Sequence, residues 1–116
     1  MQMETAALVT ALNRFGTRRS GAVLASMYRH LAHWPQYLSF AWLLLVPFDS
    51  DGRLATAIEQ ARHAASARAD LLLVRPAGSP PPPAQAAAIS TAIEPFARDV
   101  IVKMLVICAF LRRVTA

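Results

Sequence analysis

The sequence predicts an all-α protein, a bundle of about five helices in a single domain that spans residues 1–116. Three observations lead to this prediction. Apolar residues recur every three or four positions over most of the chain, which is the period of an amphipathic helix. No run alternates apolar and polar residues as a half-buried strand does. Proline or glycine stands near the point where most of the helical patterns end.

The first two helices are predicted at residues 3–14 and 22–33. Leu8 and Leu12 lie on one face of the first helix, and Gly16 follows its end, where glycine is the favoured residue. A basic loop separates the two helices. The second helix carries its own apolar repeat and leads directly into the most aromatic part of the chain.

That aromatic part, residues 28–42, contains every tryptophan and tyrosine of the molecule. Pro35 suits the first turn of a helix but interrupts a helix from inside, so we expect a corner between two helices at Trp34 and Pro35. The third helix is predicted to end near Val46, because a residue before proline is disfavoured in the α conformation. Four aromatic side chains should therefore supply much of the core: Tyr28, Trp34, Tyr37 and Trp42.

The fourth helix is predicted at about residues 50–74, after a turn at 48–52. Six apolar residues recur along it at helical spacing: Leu54, Ile58, Ala61, Ala65, Ala69 and Leu72. Residues 75–83 follow, with the sequence Arg-Pro-Ala-Gly-Ser-Pro-Pro-Pro-Pro. So much proline is incompatible with a regular helix and favours an extended, polyproline-like surface linker.

The last helix, residues 84–114, is predicted to be the packing axis of the bundle. Eight apolar residues form its main row: Ile89, Ile93, Phe96, Val100, Met104, Ile107, Leu111 and Val114. Pro95 should kink the helix. A second row, Ile101, Leu105 and Cys108, makes this segment apolar on nearly all sides, which is typical of a helix in the centre of a bundle or in a subunit interface.

Composition excludes several function classes. The net charge of +5 comes from arginines spread along the chain, whereas a nucleic-acid site needs its charge on one face, so we expect no nucleic-acid partner. No apolar run reaches the roughly 20 residues that span a bilayer, so we expect no membrane association. The single cysteine fits a reducing compartment, and we expect a cytoplasmic protein. The 55% hydrophobic content is high for a monomer and favours a partner subunit.

Few residues suggest chemistry by themselves. His30 and His33 are three positions apart and could reach one metal ion with His63, but isolated histidines at this spacing are more often surface residues, so we expect neither a metal nor a cofactor. Cys108 lies in an apolar row, and we expect an inert core thiol. The pairs Arg18-Arg19 and Arg112-Arg113 are interpreted as solvated cations.

One motif carries a family resemblance. Residues 29–38, Arg-His-Leu-Ala-His-Trp-Pro-Gln-Tyr-Leu, resemble the Arg-x-Leu-Ala-x-Trp/Phe-Pro-x-Tyr-Leu signature of the group I 2-haloacid dehalogenases, which are all-helical and need no cofactor. Asp-Gly-Arg-Leu at 51–54, Phe96 and Lys103-Met104 are similar to the C-terminal half of bacterial members. The resemblance covers about residues 20–114.

The resemblance implies an architecture. Members of this family have two similar helical halves that face each other across the substrate pocket, and this chain corresponds to one half. We therefore expect a homodimer, or a matching first half on another or a longer chain. The resemblance places six residues around a pocket that would take a small apolar or haloacid ligand: Val23, Ser26, Met27, Ile93, Phe96 and Val100.

The resemblance also implies an activity, the hydrolytic removal of halide from 2-haloacids. In the family an Asp activates a water that displaces halide from the α-carbon, but Met27 occupies the corresponding position here. A hydrolase would need Glu94 or Asp99 as its base. The alternative is a non-catalytic helical dimer, or a module that binds a ligand or a partner chain.

Overall fold

The computed structural model describes residues 3–17, 26–73 and 78–116, and every regular element among them is helical. The all-α prediction is therefore confirmed. A π-helical segment joins the last two α-helices into one continuous rod, so the described residues form five helical stretches. The elements are α1 (Met3–Arg14), α2 (Ser26–Leu31), α3 (Pro35–Ser50), α4 (Arg53–Leu72), α5 (Pro83–Phe96), the π-helical segment (Ala97–Val102) and α6 (Lys103–Thr115).

The first corner forms where the sequence predicts it. Helix α2 ends at Leu31, whose carbonyl accepts a hydrogen bond from the Trp34 amide at 2.8 Å. Trp34 leaves the helical conformation, with φ −127° and ψ 77°, and Pro35 is the first residue of α3. The missing proline N–H costs nothing at that position, because the first-turn donors of a helix have no partner within it.

Helix α3 continues past its predicted end. It runs through Pro47 to Ser50, whereas the sequence predicted a stop near Val46. Pro47 leaves the carbonyl of Leu43 without its helical donor. Both residues are solvent-exposed, Leu43 by 65%, so water is within reach of this side of the helix. The interruption is therefore tolerated, and the turn before α4 shortens to Asp51 and Gly52.

The core lies where α1, α2, α3, the first half of α4 and α6 meet. Leu12, Tyr28, Leu38, Ile58 and Ile107 are each 0% exposed. The remaining buried apolar residues are Val9, Ala41, Leu45, Leu54, Met104 and Leu111. This cluster holds the five stretches together by removing apolar surface from water.

The aromatic corner contributes less to this core than the sequence predicted. Tyr28 is fully buried, and Tyr37 and Trp42 are half-buried against the core. Trp34 instead is 55% exposed. It lies against the rings of His30 and His33, with centroid distances of 5.5 and 6.0 Å. The prediction that Trp34 belongs to the core is wrong, because Trp34 lies in the turn before α3.

The packing-axis prediction holds for only half of the last rod. Met104, Ile107 and Leu111 of α6 are buried, but no residue of α5 is buried. Ile89, Ile93 and Phe96 were predicted to continue the core row and are each at least half exposed. The apolar period correctly indicated a helix with an apolar side, but this side of α5 meets no other described element closely enough to be covered.

The proline-rich linker lies partly outside the described residues. Residues 79–82 are exposed and have no regular structure, and Pro82 has φ −53° and ψ 147°, which is polyproline-like. Pro83 already belongs to α5. Of the described helices, none combines the length and the apolar character needed to cross a membrane.

Candidate functional site

The six residues that the resemblance assigns to a pocket are divided between two ends of the chain. Val23 lies outside the described residues. Ser26 is exposed at the start of α2, and Met27 borders a groove with Leu31, Cys108 and Leu111. In this groove the Cys108 thiol contacts the Met27 sulfur at 2.8 Å.

The other assigned residues lie on the α5 rod. Ile93 borders a second groove, between the Pro-rich segment and α5, together with Pro81 and Glu94. Phe96 is half exposed, and Val100 is half-buried in the π-helical segment. Met27 and Ile93 therefore line different grooves in a single copy of the chain. A common pocket for all six residues remains a prediction.

Among the described residues, a cluster of buried charges lies beside the π-helical segment. Arg98 is 5% exposed, and its guanidinium donates to Glu59 of α4, to Asp99 and, at 3.1 Å, to the Gly16 carbonyl. Burial alone would lower the pKa of Arg98, but its hydrogen bonds to Glu59 and Asp99 outweigh this and raise it. Arg98 thus ties the end of α1 to α4 and to the rod.

Lys103 completes this cluster, and its side chain is 0% exposed. Its ammonium donates to the Asn13 carbonyl at 2.7 Å and to the Thr17 hydroxyl at 2.6 Å. Asn13 lies in the last turn of α1, and Thr17 follows the helix just after Gly16, so Lys103 contacts the segment that leaves α1. Burial lowers the pKa of Lys103 to about 8, and the nearby Asp99 carboxylate opposes this shift.

The π-helical segment places Arg98, Asp99 and Lys103 together. Segments of this kind are frequent at functional sites, because the extra residue in the turn re-aims side chains. Sequence analysis singled out Asp99 but missed the cluster. The available signal was Lys103, the only lysine of the chain, which stands in the middle of an apolar helix.

The two candidate bases have different surroundings. Asp99 is 5% exposed and forms an ion pair with Arg98, so its carboxylate is occupied within the cluster and shielded from solvent. Glu94 is mostly exposed, borders the Ile93 groove and lies 3.5 Å from an Arg62 nitrogen. Of the two, Glu94 is the one that a dissolved molecule can reach.

An exposed apolar strip runs along the rod. We define the rod face as the exposed side chains Ile89, Ile93, Phe96, Ile101 and Leu105. Their spacings of 4, 3, 5 and 4 follow one side of a helix, and the spacing of 5 falls across the π-helical segment, where the turn is wider. Contiguous exposed apolar surface of this kind marks an interaction site in soluble proteins.

Two further expectations concern the isolated histidines and the cysteine. Among the described residues, no group of three or more histidine, cysteine or acidic side chains is arranged to hold a metal ion.

Cys108 is exposed, so the prediction of a core thiol is wrong. It lies on the side of α6 that borders the groove with Met27, and partial burial raises its pKa. Arg18 and Arg19 lie outside the described residues, while Arg112 and Arg113 are exposed at the end of α6.

The fold and the site together define a class: an all-α bundle whose last rod carries an uncovered apolar face. Comparison with protein-family models, with curated proteins and with solved structures found no match for this chain.

Proposed function

We propose that this chain is a helical binding module that works as a homodimer, paired through the rod face. The observation that carries the proposal is the exposure of α5: a 14-residue helix with apolar residues at core spacing, none of whose residues is buried. In water such a helix is stabilised mainly by burying its apolar side.

A second copy is a suitable occupant because every copy presents the same strip. In a two-fold pairing each strip covers the other, which is the commonest arrangement of soluble homo-oligomers. The face is apolar and lacks an excess of one charge, so it fits another apolar helix better than a charged partner. The family resemblance, in which two similar halves face each other, supports the same arrangement.

Light scattering tests the proposal directly. The wild-type chain should give about twice its mass of 12.6 kDa. Ile93→Glu places a charge in the centre of the face and should weaken association about a hundredfold, because a buried unpaired charge costs several kcal/mol.

The matched control is Leu71→Glu. Leu71 is 81% exposed and lies near the end of α4, outside the rod face, so this variant should remain dimeric. Circular dichroism should show that both variants keep their helices. A wild-type monomer, or equal masses for the two variants, would contradict the proposal.

A second candidate function is the hydrolysis of 2-haloacids at the paired face. One observation favours it: Ile93 and Phe96, which the resemblance assigns to the pocket, lie on the rod face, and the accessible carboxylate Glu94 borders the same groove as Ile93. Glu94 would activate the water that displaces halide. The missing partner half would come from the second copy.

Halide release from 2-chloropropionate separates the two functions. Hydrolysis predicts steady halide release that Glu94→Gln abolishes and Leu71→Glu leaves intact. If the chain is dimeric but releases no halide, the binding module stands and the hydrolase is ruled out.

A further inference from the structure

We propose that the pocket between α3, α4 and α6 binds a short alkanoate, a carboxylate with an apolar chain of about six carbons. The pocket has apolar walls from Leu45, Phe48, Leu54, Val106 and Phe110, with Ala57 also in the lining. Of the described residues that line it, Arg53 is the only charged one. This pocket shares no residue with the rod face, so the inference stands apart from the proposed homodimer.

Arg53 is held in place before any ligand arrives. Its guanidinium carbon lies 4.3 Å from the centre of the Phe48 ring, a cation–π contact. Its Nε donates to Asp51 at 2.6 Å, and its backbone amide donates to the same carboxylate at 3.0 Å. A guanidinium has five N–H donors in a planar fork that matches a carboxylate, so the contact to Asp51 leaves donors for a ligand.

The apolar part of the pocket is also shaped in advance. The rings of Phe48 and Phe110 meet edge to face with centroids 5.3 Å apart. Leu45 and Leu54 are buried behind them. Sites for small molecules generally combine such apolar walls with a few fixed polar groups that set the orientation of the ligand.

The pocket volume sets the size of the ligand. The cavity measures about 250 Å³. This lies just below the roughly 300–1,000 Å³ of sites for drug-sized ligands, so the pocket suits a smaller molecule. Hexanoate has this size, and its charge complements Arg53. An ammonium group on a chain of the same length has no acceptor for the guanidinium N–H groups.

An NMR titration of the full chain tests the inference. Backbone amide shifts are followed while hexanoate, 1-hexanol or hexylamine is added. Hexanoate should give saturable shifts confined to the amides around the pocket. Hexanol should bind about tenfold more weakly, because it lacks the charge-assisted hydrogen bonds to the guanidinium. Hexylamine should bind more weakly still.

Variants separate recognition by Arg53 from simple apolar partition. Arg53→Gln should weaken hexanoate binding about tenfold and leave hexanol binding unchanged. Arg68→Gln, an exposed arginine of the same helix outside the pocket, should change neither. The inference is overturned if hexanoate does not saturate, if its shifts map elsewhere, if hexanol binds equally well, or if Arg53→Gln binds hexanoate like the wild type.

Discussion

Lys103 has unusual surroundings for a charged residue, because its side chain is fully buried. Its amine is enclosed by the end of α1 and contacts two oxygen acceptors, Asn13 O and Thr17 Oγ1. Asp99 and Asp49 attract it electrostatically and Arg98 repels it, but burial dominates. The difference between an ordinary pKa of 10.5 and about 8 corresponds to on the order of 3 kcal/mol against the charged form.

This shift predicts that stability rises with pH between 7 and 9. The unfolded chain keeps the Lys103 proton up to about pH 10.5, whereas the folded chain begins to lose it near pH 8, so the unfolded state binds more protons in this window. The free energy of unfolding should gain about 1 kcal/mol from pH 7 to 9. Urea denaturation at each pH measures it.

Lys103→Met is the control for this pH dependence. It removes the titrating amine and should abolish most of the gain, and a variant with the same pH profile as the wild type would exclude Lys103 as the cause. The window ends near pH 9 because Cys108 and Tyr28, whose pKa values are both raised by burial, cost stability when pH rises above their ordinary pKa values.

Gly16 is constrained twice, by its backbone and by its neighbours. Its φ is +71°, and a Cβ built on it would lie 2.5 Å from Cδ1 of Ile58, which is fully buried. Its amide also donates to Asp49 at 2.8 Å. Gly16→Ala should therefore cost about 2 to 4 kcal/mol of stability, from left-handed strain plus displacement of Ile58.

Gly52 isolates the backbone part of that cost. It has a similar φ of +82°, but among the described residues no side chain or distant backbone atom lies within 4 Å of a built Cβ. Gly52→Ala should cost about 1 kcal/mol. Urea denaturation measures both variants. Equal losses of stability would show that Ile58 moves aside at no measurable cost in free energy.

At the scale of elements, α3 contains two prolines with opposite roles. Pro35 stands at the first position, where no amide donor is needed, and Pro47 stands inside the last turns, where one is missing. Pro47→Ala restores that donor and should stabilise the protein by about 1 to 3 kcal/mol. Thermal unfolding followed by circular dichroism measures the gain.

Pro35→Ala is the matched control for Pro47. It should change stability by less than about 1 kcal/mol, and in the direction of loss, because proline restricts the unfolded chain without disturbing the native first turn. If Pro47→Ala stabilises no more than Pro35→Ala, the exposed carbonyl of Leu43 is already satisfied by water.

Local signals predicted some elements well and others poorly. Helix α1 and the corner at Pro35 follow from short-range chemistry, and both are confirmed. The π-helical segment has no comparable signal in the sequence. Residues 100–102 are all apolar, so the extra residue in the π-helical turn does not disturb the apolar pattern that would reveal it. Periodicity indicates that a helix has an apolar side but not what covers it. The exposure of α5 could therefore not be predicted from the sequence.

The candidate sites also differ in how well the sequence predicted them. Ile93 and Phe96 were chosen from the resemblance, and they lie on the rod face. The buried charge cluster joins residues as far apart as Asn13 and Lys103, and such long-range pairing has no signature in a single sequence. Asp99 was noticed only because acidic residues are scarce on the apolar rod.

At the scale of the whole molecule, the fold is extended. The radius of gyration is 16.6 Å, against about 13 Å for a compact chain of this length, and the longest dimension is 50 Å. Helix α5 contributes to the larger radius of gyration, because none of its residues is buried against another element. A module of this shape exposes much apolar surface for its size and gains stability when that surface is covered.

Coverage by a second copy makes stability depend on protein concentration. If folding and pairing are coupled, mass action favours the native dimer as concentration rises. For two chains of 116 residues unfolding together, a tenfold increase should raise the melting temperature by roughly 3 °C. Calorimetry over a hundredfold range of concentration measures this. Ile93→Glu should melt at one temperature throughout, whereas Leu71→Glu should follow the wild type. A wild-type melting temperature independent of concentration would mean that the rod face does not pair with a second copy in solution.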